Sequence, residues 1–281
     1  MFIEILHRLP SISPWVESSY GVASVLNFGA GSILSTDGAH QGHPLAGLQF
    51  CSTLHPVVEM LEKVKELKQN SWFQDDGELV GTREALAEAW DILAREGPPR
   101  GLHLLKEKSL VFCPHHDPAD QDPLGRGVTR VQKKGIKLLG APVGEKDYKA
   151  EILEERVVSV KHLLDNLHHL NDPHIEYNLL RSCFSLNKFS YSLRTVDTSG
   201  HQDIMEDFDT AVRGALEAIL GCPLPPPQWS QASLPIHMGG LGLRRATDHG
   251  PGAYLVSLQV TADLVEEIRS EEEPRNIHCR P

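Results

Sequence analysis

No Cys-x-x-Cys pair occurs in this chain: its five cysteines, Cys51, Cys113, Cys183, Cys222 and Cys279, are scattered through 281 residues. That excludes a dense disulfide framework and fits reduced thiols inside a cell. There is no run of about 18 apolar residues of the kind a membrane helix needs, and the opening stretch carries Glu4, Pro10 and Pro14 where a secretory signal would run apolar. Positive charge is in deficit, with 27 Lys and Arg against 38 Asp and Glu, a net charge of −11. The summed field repels polyanions, so any nucleic-acid contact must come from a local patch. What is present is 40% hydrophobic content, enough over this length for one large core or two small ones. These features predict a soluble, intracellular protein of the nucleus or cytoplasm, away from membranes.

Periodicity supplies the elements. Ile3, Ile5 and Leu6 begin an amphipathic stretch that Pro10 and Pro14 break before a second helical run from Trp15 to Leu26. The pattern starts almost on Met1 with no cap residue ahead of it, which predicts missing upstream structure. Leu45, Leu48, Leu54, Val57, Val58 and Leu61 recur at helical spacing, predicting a helix over 44–67 with Pro44 in its first turn. Two short apolar runs flank Asp75-Asp76-Gly77, a hairpin signature with both acids at the tip. A helix follows over 82–95, capped by Thr82 and stopped by Gly97-Pro98-Pro99, then a strand over 110–113, a surface loop over 114–127 and a further strand or hairpin over 136–143.

Beyond Lys149 the pattern turns helical. Apolar residues from Ile152 to Leu170 describe one long helix, Leu179 to Leu193 a second, Met205 to Leu220 a third ending before the Pro223–Pro227 cluster, and Tyr254 to Ile268 a fourth. The fold class is therefore α+β: helices with antiparallel hairpins over 1–148, a helical region over 149–269, and a disordered tail over 270–281.

Four segments then stand in a telling order. Ser35-Thr-Asp-Gly-Ala-His-Gln-Gly-His-Pro-Leu-Ala-Gly-Leu-Gln-Phe50 resembles the nucleotide-side block of a reverse transcriptase palm of non-LTR retrotransposon type, matching at Gln41, Gly42, Pro44, Leu45, Leu48 and Phe50. His43 stands where the family has an acid, Ala46 where it has glycine and Gly47 where it has proline. Trp72-Phe-Gln-Asp-Asp-Gly77 is similar to the family's aromatic-x-Asp-Asp-Gly hairpin, the most specific match. Gly101–Phe112 resembles the block carrying a lysine, here Lys108, and Gly135–Gly144 the hairpin with a Leu-Gly pair, here Leu139 and Gly140. The resemblance runs over roughly residues 10–257.

That resemblance implies an ancestral RNA-directed DNA polymerase: a partial palm followed by a thumb-like helical region, acting on an RNA template and DNA primer with Mg2+. It implies Asp75 and Asp76 as metal-binding catalytic acids, because two-metal nucleotidyl transfer needs carboxylates held rigidly at a tight turn. Lys108 is implied as a proton donor to the leaving pyrophosphate, Gln41, Gly42 and Phe73 as the nucleotide site, and Leu139 and Gly140 as the primer grip. The fingers and the first palm strand, with its further aspartate, have no counterpart in this sequence. Asp75 and Asp76 alone leave the site short of a ligand, which predicts no unaided polymerase activity, and the missing strand predicts an exposed sheet edge, marginal stability and self-association.

Plainer readings stand beside these. An Asp-Asp-Gly turn is also an ordinary hairpin turn. His40, His43, Cys113, His115, His116 and Asp117 lack the paired spacing of a zinc site and read as solvated loop residues, with His162, His168 and His169 on a wet helix face. Gly239-Gly-Leu-Gly242 has no strand before it and no lysine after it, so it reads as an irregular turn rather than a phosphate loop. Arg213, Arg244 and Arg245 make at most a small basic patch. The alternatives to a truncated polymerase are a non-catalytic nucleic-acid- or protein-binding remnant and a decayed fragment without selected function.

Overall fold

Pro10 and Pro14, neither able to donate to a helical ladder, divide the N-terminal stretch into two short helices, α1 (Phe2–Arg8) and α2 (Ser13–Tyr20), with a 3-10 turn between them. In the computed structural model the described residues are 2–36, 38–40, 42–113, 122–131 and 134–269. Two compact units emerge, Met1–Gln132 and Lys133–Pro281.

In the first unit α2 ends at Tyr20, and the apolar run that continues to Leu26 is a strand, not more helix. Strand β1 (Ser24–Phe28) turns through Gly29 and Ala30 into β2 (Gly31–Ser35) in unbroken antiparallel register. Helix α3 (Ala46–Leu61) is shorter than 44–67 at both ends: Pro44 sits in the turn before it, and Leu67 has left the helix to pair as a strand. Strands β3 (Leu67–Phe73) and β4 (Asp76–Gly81) form the acidic hairpin. Helix α4 (Arg83–Glu96) follows, its first turn capped by Thr82, whose Oγ1 accepts from the Ala85 N–H at 3.3 Å. Leu54, Val57 and Leu61 of α3 bury against Ala89 and Leu93 of α4, with Leu67, Trp72 and Leu79 of the hairpin packed alongside. Two-residue strands β5 (Leu110–Val111) and β6 (Thr129–Arg130) pair in parallel.

The second unit opens with hairpin β7 (Gly135–Leu138) and β8 (Ala141–Gly144), which packs on the helices after it and so belongs with them, ahead of the boundary read at residue 148. Helix α5 (Lys146–Asp165) ends sooner than the periodicity to Leu170, which finishes as a 3-10 turn. The run from Leu179 to Leu193 is not one helix. Helix α6 (Pro173–Leu179) passes into a π-helical turn over Leu180–Phe184, and Ser185, with ψ −137°, breaks the ladder before α7 (Leu186–Thr195). Helix α8 (Gln202–Leu220) ends at left-handed Gly221, and the proline cluster beyond it starts a further helix, α9 (Pro226–Ser233), because proline suits a first helical turn. Helix α10 (Ala246–Arg269) begins well ahead of Tyr254. The core runs through α5, α7, α8 and α9, centred on Phe189 and Phe208, whose rings stack with centroids 4.7 Å apart.

The fold is thus α+β, helices with small sheets. Among the described residues the strands make four separate two-stranded ladders, three antiparallel and one parallel, and do not join into a single sheet. No helix among the described residues is long and apolar enough to cross a membrane. The tail over 270–281 lies outside the described residues.

Candidate functional site

The last paired residues of the acidic hairpin are Phe73 and Asp76, so its two-residue turn is Gln74-Asp75, with Gln74 in the left-handed region at φ +57°. The turn expected at Asp75-Asp76-Gly77 is therefore displaced: Asp76 is already strand, and Gly77 sits opposite Trp72. The reason is steric. A Cβ at residue 77 would come within 2.6 Å of the Trp72 ring, which lies flat over the glycine. That ring is fixed in turn: its Nε1 donates to Asn70 Oδ1 at 2.7 Å, and Asn70 Nδ2 donates to the Val58 carbonyl of α3 at 3.0 Å. The hairpin is thereby tied to α3, and the sequence reading missed Asn70 and Trp72 as its anchors.

Asp75, Asp76 and Phe73 are all exposed at the tip. Neither carboxylate forms an ion pair or side-chain hydrogen bond among the described residues. The start of α3 comes up to this turn: a Cβ at Gly47 would sit 3.5 Å from Gln74 Nε2. Two of the four segments read from the sequence, the Ser35–Phe50 block and the acidic hairpin, therefore meet.

Within that block Gly42 has φ +84° and open space around it, while Gln41 lies outside the described residues. His43 is not a solvated loop residue. Its Nδ1 accepts from the Leu45 N–H at 3.3 Å, capping the turn that leads into α3, and its ring packs against Tyr20 at 5.2 Å. His40 packs on the same tyrosine at 5.0 Å and donates its backbone N–H to the Tyr20 hydroxyl. The residue standing where the family has an acid thus serves local structure here. His115, His116 and Asp117 lie outside the described residues.

Lys108 is exposed in the turn after Leu105 and makes no side-chain hydrogen bond or ion pair with Asp75 or Asp76. Leu139 and Gly140 form the β7–β8 turn of the second unit. Leu139 is held in the left-handed region at φ +48°, and its carbonyl accepts from the Tyr191 hydroxyl of α7 at 2.7 Å. Tyr191 is thus the clamp of this turn, visible only once α7 is folded.

Among the described residues no group of three His, Cys, Asp or Glu converges on one point. Two magnesium ions, each demanding near-octahedral oxygen coordination, are not accommodated by two adjacent exposed aspartates. Nor is there any Lys or Arg between Arg8 and Lys63 to meet a triphosphate from the nucleotide block. The donor set present does not fit the two-metal centre.

A concavity of about 480 Å³ lies in the second unit between α8, α9 and the start of α10, lined by Gln202, Glu206, Asp209 and Trp229 among others. The Asp209 carboxylate accepts from the Ala246 N–H at 2.6 Å, the Thr247 N–H at 3.1 Å and the Thr247 hydroxyl at 2.7 Å, capping α10 from another helix. Burial pushes its pKa up, and the three donors pull against that shift. Arg213 pairs with Glu217 and Arg245 with Asp248, so this cleft is no basic patch.

No protein-family model, curated protein or solved structure matches the chain.

Proposed function

We propose that this chain is a reverse-transcriptase-like protein of the non-LTR retrotransposon kind, ancestrally an RNA-directed DNA polymerase, carrying the later part of the palm and a thumb-like helical region. It does not polymerise unaided. The observation that supports this reading is the meeting of Gly47 with Gln74, since a polymerase needs its nucleotide block beside its acidic turn if one triphosphate is to reach both. RNA template, DNA primer and Mg2+ are the partners of the ancestral reaction. Their productive binding requires a further palm strand with another carboxylate.

Primer extension on an RNA template with Mg2+ tests this, using the chain alone and fused behind the fingers and first palm strand of a non-LTR reverse transcriptase. The chain alone gives no product, and the fusion gives product that Asp75→Asn abolishes. Extension by the unfused chain would overturn the inactivity, and a silent fusion would overturn the polymerase ancestry of the acidic turn. A protein-binding remnant is the second reading, favoured by the apolar side chains that β1 and β2 leave exposed.

A further inference from the structure

From Ser18 to Thr36 there is no Asp, Glu, Lys or Arg, in a chain whose net charge is −11. This neutral stretch contains the β1–β2 hairpin. Register puts Leu26, Phe28 and Ile33 on one face and Val25 and Leu34 on the other, and all five are exposed, Phe28 by 63% and Leu34 by 65%. Among the described residues no other strand pairs with either one. A two-stranded ribbon with apolar residues on both faces is marginal in water. It also lacks the devices that keep natural edges apart: no charged side chain, no proline and no bulge interrupts it.

We infer that the outer edge of β2 is a pairing surface for a second copy of this chain, the two hairpins joining across a two-fold axis into one four-stranded antiparallel sheet. Charge decides the occupant. An uncharged edge offers nothing to a nucleic acid or to a charged protein surface, and it is a stretch where two chains of like net charge can approach without repulsion. Geometry agrees, because an antiparallel strand meets its own copy in register without further adjustment. Ile33 is the middle residue of Gly31–Ser35, so it falls opposite itself, and Leu26 is its partner within the hairpin. The result is a row of four side chains, Leu26–Ile33–Ile33–Leu26, straight across one face of the joined sheet. This inference does not depend on the polymerase ancestry.

The test is the molar mass of the full chain in light scattering over a wide dilution series, with Ile33→Glu, Ile33→Cys and Asn27→Cys alongside. The wild type gives twice the 31.1 kDa of one chain, falling to one on dilution. Ile33→Glu, which sets two carboxylates face to face at the axis, gives single chains at every concentration with an unchanged circular dichroism spectrum. Under mild oxidation Ile33→Cys yields a covalent dimer well above the wild-type background, and Asn27→Cys, on the other strand, does not. A wild type that stays at one mass throughout, an Ile33→Glu chain that still dimerises, cross-linking through residue 27 instead of 33, or open-ended polymers would each overturn the proposal.

Discussion

Gly77 owes its identity to Trp72 and not to the turn. Gly77→Ala must push the indole off the hairpin and break the path from Trp72 through Asn70 to the Val58 carbonyl. The expected loss is about 1–3 kcal/mol, seen as a lower urea midpoint at unchanged slope. Asp75→Ala and Asp76→Ala touch exposed groups without partners among the described residues, so both should leave stability within about 0.5 kcal/mol; a larger effect would reveal an interaction at the tip. Asp209 behaves differently, because burial raises its pKa above that of the unfolded chain. Its contribution is therefore fully present below the unfolded value of about 3.9 and is lost as pH rises through the folded value. Asp209→Asn removes that slope, so the variant should gain on the wild type as pH climbs from about 4. Urea unfolding across pH checks this, and parallel curves would contradict it.

Some elements were legible because their causes are local. Helix α4 carries its own cap in Thr82 and its own stop, and both could be read three residues away. Helix α10 could not be bounded, since its cap, Asp209, lies on another helix. Asp209→Ala should therefore speed amide exchange at Ala246 and Thr247 and cost about 1–2 kcal/mol, while leaving the far end of α10 unchanged. The β1–β2 hairpin escaped notice because apolar residues on both faces abolish the alternation that marks a strand. The acidic turn falls ahead of the Asp76-Gly77 pair for a related reason. Asp-Gly is the stronger turn signal, but the demand of the Trp72 ring for a bare partner prevails. At the β7–β8 turn, Tyr191→Phe removes the hydrogen bond that holds Leu139 in its left-handed conformation. About 0.5–1.5 kcal/mol should be lost, with faster exchange confined to that turn.

Over the whole molecule, acids outnumber cations by 38 to 27. Some of those cations are already paired, Arg8 with Glu59, Arg126 with Asp91, Lys137 with Glu155 and Lys161 with Asp207, and the net charge of −11 repels phosphate. Fluorescence anisotropy with a single-stranded RNA at physiological salt should give a Kd no tighter than about 10⁻⁴ M; tight binding would reveal a patch the ion pairs conceal. Of the candidate site, the two carboxylates and their hairpin were legible in the sequence. The approach of Gly47 to Gln74 was not, because it depends on how α3 and the hairpin pack, and neither segment encodes that alone.

The cation-free stretch between Arg8 and Lys63 has a practical corollary. Trypsin finds no bond to cleave across α2, the neutral hairpin and all of α3, which leave together as one peptide from Leu9 to Lys63. A proteomic survey built on tryptic fragments of ordinary length would register the protein from Gln69 onward and overlook the segment that carries α2, the neutral hairpin and α3.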